Sequence, residues 1–189
     1  MKKRDIVWGV ALSSAFAFSA CQTQKKIANA VPHKAIASHL PCFSAQYQSG
    51  ENFLFGIGMG ESLDSTNAHR KASLETKGKI SSQIHYLLNK IVDEYRKKAH
   101  LSGEQIADLR VAAAQVANME LTRVRTACQR DNVIQETGKT TSYITNQIAT
   151  DQVIDAFVAL SEKGTVMHGN SDEIRAAAAR VLEKAFKKG

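Results

Sequence analysis

The sequence has few prolines, few aromatic residues and no long apolar segment. Its 189 residues include only 2 prolines, which leaves little room for an extended, proline-rich architecture. A polytopic membrane protein is also excluded, because each membrane helix needs about 20 consecutive apolar residues. Hydrophobic residues at 43% and charged residues at 23% are typical of a folded soluble domain rather than of global disorder. The formal net charge of +7 favours anionic partners without identifying them.

The sequence also lacks the motifs of common active sites and cofactor sites. Gly56–Gly60 reads G-x-G-x-G rather than the G-x-G-x-x-G of a dinucleotide site, which favours glycines that let a strand and a helix pack closely. Gly138-Lys139-Thr140 lacks the upstream glycine of a phosphate-binding loop. The 6 histidines are scattered, without the spacing of paired metal ligands on one helix face. We therefore expect no catalytic residues, no metal site and no enzyme.

The amino terminus has the pattern of a secretory signal. Lys2, Lys3 and Arg4 precede an apolar run over Ile6–Ala20, which is too short to span a bilayer comfortably. An ordinary secretory signal cut nearby and an uncleaved anchor are alternative interpretations of such a segment.

The end of this run resembles the lipobox of bacterial lipoproteins. Phe18-Ser19-Ala20-Cys21 places small residues before a cysteine, which in lipoproteins is acylated and becomes the mature amino terminus. The resemblance implies that Cys21 is a lipid attachment site. This lipid is the one covalently bound group that we expect. Two or more acyl chains give stable anchoring. Gln22 stands where an aspartate would retain an enteric lipoprotein at the inner membrane, so the resemblance implies the outer membrane.

We predict three segments: a lipoprotein signal peptide at residues 1–20, a lipidated tether at 21–40 and a single domain at 41–189. The domain is predicted to be α+β, with long amphipathic helices packed on a small antiparallel sheet. Its predicted elements are a strand over 52–60, a helix over 68–98, a helix capped by Ser102, a strand over 121–134, a turn at 136–139 and a strand over 140–148.

The carboxyl-terminal third contains one ambiguous segment. Residues 152–161 suit a helix or a strand, and we favour a helix that ends at Gly164. Asn170 with Glu173 three positions later resembles a capping box at the start of a final helix.

Two cysteines remain once Cys21 is assigned to lipid. Outside the cytoplasm, Cys42 and Cys128 are expected to form a disulfide, because thiols in oxidising compartments usually pair. Two buried free thiols and intermolecular pairing are the alternatives.

The strand predicted over 121–134 also carries candidate anion contacts. Alternation places Thr126 and Cys128 on one face and Arg123 and Arg125 on the other. The two arginines would contact an anionic polymer or lipid of the envelope. Nucleic acid is a less natural partner, because the sequence contains no DNA- or RNA-binding motif.

Three features carry a family resemblance: the lipobox, an apolar strand ending in glycines, and an alanine-spaced helix. Their residues are Phe18–Cys21, Phe55–Gly58, Ala68, Ala72, Ile80 and Ile84. Together they resemble the small bacterial lipoprotein family called Lpp-twenty over about residues 18–95. The resemblance implies a small α+β domain displayed from the outer membrane without known catalysis. Some relatives belong to flagellar or envelope assemblies, and others are surface antigens.

These observations predict a non-enzymatic outer-membrane lipoprotein that acts as an envelope scaffold or interaction module, facing the periplasm or the cell surface. Its expected partners are the membrane, envelope proteins or anionic polymers, and a second copy of itself. The alternatives are a periplasmic module that binds lipopolysaccharide, peptidoglycan or DNA, and an envelope enzyme whose site assembles only in the fold. A binding module predicts a pocket or a basic face, whereas a scaffold predicts an exposed apolar stripe or self-association.

Overall fold

The structure, a computed structural model, describes residues 40–163 and 170–186. The predicted signal peptide, the lipid site Cys21 and the tether up to residue 39 lie outside the described residues. The predicted helix end at Gly164 lies outside them as well.

The described residues form a three-stranded antiparallel sheet with helices packed on it, which confirms the predicted α+β class. The strands are β1 (Phe53–Ser62), β2 (Arg125–Ile134) and β3 (Lys139–Ala149). The α-helices are α1 (Ser65–Ala99), α2 (Gly103–Glu120), α3 (Thr150–Lys163) and α4 (Ser171–Phe186), and a short 3₁₀ helix lies at Ala45–Tyr47. The strand order is β1-β3-β2, so β3 is central and β1 and β2 are the two edges.

One face of the sheet, here called the front face, is where three alternate glycines of β1 contact α1. Gly56, Gly58 and Gly60 are buried, and a side chain on any of them would collide with the helix backbone. A Cβ on Gly58 would lie 2.5 Å from the carbonyl oxygen of Ala72 and 2.9 Å from Cγ2 of Thr76. Glycine therefore permits the close approach of strand and helix that the sequence predicts.

The main hydrophobic core lies beyond these glycines, where α1 meets the other helices. The buried residues of α1 recur every three or four positions, as in an amphipathic helix. Ile84 of α1, Leu109 of α2, Phe157 of α3 and Ile174 of α4 are fully buried in this core. Burial of each such side chain stabilises the fold by about 1.5–3 kcal/mol. The ambiguous segment 152–161 is thus helical, as favoured, because α3 has an apolar side to bury here.

The starts of α2 and α4 follow the sequence signals with one correction. The Asp64 side chain caps α1, and Ser102 caps α2 in a capping box. At α4 the Asn170 side chain accepts a hydrogen bond from the first turn, as expected of an N-cap. The predicted capping box with Glu173 is wrong in its second half, because the backbone N–H of Asn170 donates to the Tyr95 hydroxyl at 3.3 Å. A contact from α1 thus replaces a local one.

An ionic contact holds α4 to α1. The Glu94 carboxylate accepts hydrogen bonds from Lys97 at 2.9 Å, Arg180 at 3.2 Å and Lys184 at 3.4 Å. The bond from Lys97, followed by the contact with Lys184, lowers the pKa of Glu94 to about 2. The low pKa keeps Glu94 charged, so its ionic contact with Arg180 and Lys184 of α4 persists near neutral pH.

Two glycine substitutions separate close packing from helix propensity. Gly58→Ala places a methyl group against the α1 backbone, so we expect a loss of about 1–3 kcal/mol in the free energy of unfolding. Gly78→Ala lies inside α1 with open space around it, so we expect a gain of about 1 kcal/mol from helix propensity. Urea unfolding monitored by circular dichroism measures both. A neutral or stabilising Gly58→Ala would contradict the close contact.

Candidate functional site

The face opposite α1, here called the back face, is crossed by the segment that leads into the fold. Cys42, the third described residue, is disulfide-bonded to Cys128 of β2, and their Cα atoms lie 5.5 Å apart. The Thr145 hydroxyl of β3 donates to the Cys42 carbonyl oxygen at 2.5 Å. The ring of Phe43 packs edge-on against Tyr143 with centroids 6.0 Å apart. The sequence left three states open for these two cysteines, and the structure contains the intramolecular disulfide.

The predicted faces of β2 are wrong because the strand contains a bulge. Arg125 and Thr126 pair with successive residues of β3, but the next pair is Cys128 with Thr145, which leaves Ala127 as an extra residue. The extra residue shifts the alternation by one position. Cys128 therefore shares the back face with Arg125 rather than with Thr126, and this shift lets it reach Cys42.

Arg123 does not lie on a strand face, since β2 begins only at Arg125. Arg123 lies in the turn after α2, and its Nη1 is 3.1 Å from Oε1 of Glu120. Glu120 is a fully buried carboxylate whose other oxygen accepts a hydrogen bond from Gln152 at 2.5 Å. The buried carboxylate compensates the charge of Arg123 and ties the end of α2 to α3.

The two predicted anion contacts nevertheless line one surface depression. The depression has a volume of about 580 Å³ and is open to solvent. Its lining residues are Thr122, Arg123, Val124, Arg125 and Gln152. Arg125 is exposed and forms no ion pair within the described part of the chain. The depression therefore presents one uncompensated positive charge rather than two.

The back face also exposes apolar side chains that the sequence did not single out as a site. They are the alternate large residues of β1, here called the apolar strip: Phe53, Phe55, Ile57 and Met59. Phe53 is 41% exposed and Met59 48% exposed, and the two between them are partly buried. The signal was present in the sequence, because large apolar residues alternate with the three glycines. If the glycines face a helix, the large residues must face the other way.

Comparisons with known proteins do not identify this arrangement. The chain matches no family model, no curated protein and no solved structure. In the ranges that the structure describes, no helix has both the length and the apolar character to cross a membrane. Three or more metal-ligating side chains do not converge anywhere in those ranges. The functional argument therefore depends on the geometry of the back face and of the depression.

The disulfide leads to a stability prediction. It closes a sequence separation of 86 residues, so removing it in a Cys42→Ser/Cys128→Ser variant is expected to cost about 4–5 kcal/mol of unfolding free energy. Urea unfolding of the variant and of the native protein measures this loss.

The pairing itself is checked by alkylating protein from the cell envelope with and without reductant, followed by mass measurement. We expect Cys42 and Cys128 to react only after reduction. Full alkylation of both without reductant would exclude the disulfide.

Proposed function

We propose that this protein is a non-enzymatic lipoprotein of the bacterial outer membrane whose folded domain acts as a scaffold or interaction module of the envelope. The observation that carries the proposal is the place where the chain enters the fold. The disulfide from Cys42 fastens the entering segment to β2 directly after the tether expected at residues 21–40. A structural disulfide is typical of proteins outside the cytoplasm.

The entry geometry suits a domain displayed from an anchor. A tether of residues 21–40 reaches about 70 Å at most, since an extended chain spans about 3.3–3.6 Å per residue. Tension from a lipid on Cys21 would reach Cys42 first and pass through the disulfide into the sheet. The segment around Phe43 would then stay in place while the domain engages a partner.

The exposed surface supports a scaffold more than a catalyst. An envelope interaction module requires an apolar surface that another envelope component, protein or lipid, can cover, and the apolar strip on β1 is such a surface. The resemblance of the lipobox, the first strand and α1 to the Lpp-twenty family points the same way.

The anchoring part of the proposal is tested by fractionation. We expect the native protein to stay with the outer membrane through carbonate washing and Cys21→Ser to be recovered in the soluble fraction. The matched control is Cys42→Ser/Cys128→Ser, which should stay with the membrane because it keeps the acylated cysteine. Retention of Cys21→Ser after the wash would contradict the proposal. Crosslinking in intact cells with the native protein then identifies the partners.

A second candidate function is binding of an anionic envelope polymer at the depression that Arg125 lines. The observation in its favour is the uncompensated charge of Arg125 beside the polar groups of Thr122 and Gln152. Lipopolysaccharide and peptidoglycan would both supply suitable anionic groups.

This candidate predicts a charge-specific loss of binding. Arg125→Ala should weaken binding of purified lipopolysaccharide about 5- to 10-fold at low salt, as expected when one charge-assisted contact of about 1–1.5 kcal/mol is lost. The control is Arg96→Ala, which removes the same charge from the exposed end of α1. Titration calorimetry measures both. Equal weakening by the two variants would show that net charge alone attracts the polymer.

A further inference from the structure

The back face concentrates the side chains that favour a membrane interface. Nine aromatic residues follow Cys21 in the sequence, and five of them cluster in the ring contacts of this face. The five are Phe43, Tyr47, Phe53, Phe55 and Tyr143. Tyr is enriched at the headgroup level of a bilayer because its ring has an apolar body and a polar end, and Phe is typical of the apolar side of elements that lie in the interface. The rest of the domain has no comparable cluster among its described residues.

The fold itself covers only the middle of this face. Cys42 and Phe43 lie over β3, while Tyr47 reaches Phe55 with ring centroids 5.9 Å apart. Phe53 and Met59, toward the two ends of the apolar strip, remain exposed. Covering them would be favourable, because it removes apolar surface from water.

The free edge of β1 is closed to another strand. Five of its outward backbone groups already bond to side chains, at distances of 2.6–2.9 Å. The side chains are Ser49, Lys71, Glu75, Lys79 and Gln83. A partner that extends the sheet at β1, including a second copy of this chain, would have to break these bonds. The occupant of the strip must therefore approach its side chains rather than its backbone.

The charges on the same face complement an anionic surface. Arg125 and Arg130 of β2 lie on the back face by their register with β3, and both are exposed. Glu61 at the end of β1 is compensated by Lys139 at 2.9 Å. Apolar residues flanked by cations are the pattern of surfaces that lie in the bilayer interface. The described chain also begins on this face, at the end of the tether that follows Cys21.

We propose that the apolar strip lies against the lipid bilayer, with Phe53 and Met59 inserted at the headgroup level and Arg125 and Arg130 facing anionic lipid. This inference rests on the proposed lipid anchor and adds an orientation to it. The anchor keeps the domain near the membrane, and the back face determines which side of the domain touches it.

The test uses tryptophan as a depth reporter in the full chain as cells process it. The sequence contains a single tryptophan, Trp8, so a Trp8→Phe background makes any introduced indole the only one. Phe53→Trp and Met59→Trp report on the strip. The matched control is Leu74→Trp, at a position 67% exposed on the side of α1 that faces away from the sheet. Each purified lipoprotein is reconstituted into vesicles of phosphatidylethanolamine and phosphatidylglycerol, and circular dichroism checks its fold.

Brominated lipid chains then quench tryptophan fluorescence from the bilayer side, and acrylamide quenches it from the aqueous side. We expect brominated lipid to quench the strip positions at least about 3-fold more than the control, because interfacial side chains lie about 5–10 Å inside the boundary. Acrylamide should show the reverse order.

Each other result overturns the orientation. Equal quenching of strip and control by brominated lipid would show contact without orientation. Strip positions shielded from acrylamide yet untouched by brominated lipid would show that a protein covers them. If the protein floats with the vesicles and the strip is not quenched, the orientation is wrong while the anchor stands. If the protein does not float with the vesicles, both are wrong.

Discussion

The contact between β1 and α1 is the constraint on which the rest of the structure depends. Two residues of a strand advance about 6.6–6.8 Å and four residues of a helix about 6 Å, so the antiparallel pair stays nearly in step. Successive glycines of β1, two residues apart, therefore contact residues of α1 that are four apart. The meeting partners are Gly60 with Ala68, Gly58 with Ala72 and Gly56 with Thr76. A neighbouring row of α1, one residue earlier at each position, bonds the free edge of the strand; its members are Lys71, Glu75, Lys79 and Gln83.

The consequences of this contact reach the back face. Because only glycine fits against α1 at positions 56, 58 and 60, Phe55, Ile57 and Met59 point to the other side of the sheet, where Met59 is 48% exposed. The segment from Leu40 to Tyr47 covers part of that side and is fastened there by the disulfide from Cys42 to Cys128. The disulfide that fastens the entering segment and the exposed apolar surface therefore lie on one side of the domain.

Much of this architecture could be predicted from the sequence because local patterns determine it. The spacing of apolar residues in α1 and the cap at Ser102 act within one or two turns. The bulge at Ala127 could not be predicted, because β3 selects it through pairing. Contacts such as Arg123 with Glu120 likewise depend on how separate elements meet.

The central claim is that the lipid anchor and the back face together orient the domain on the membrane. Hydrogen exchange of the native protein on vesicles, compared with Cys21→Ser free in solution, tests it most directly. The account predicts slower exchange in Leu40–Tyr47 and β1 on vesicles, with no change in α2. Slower exchange in α2, or unchanged exchange throughout the back face, would contradict it.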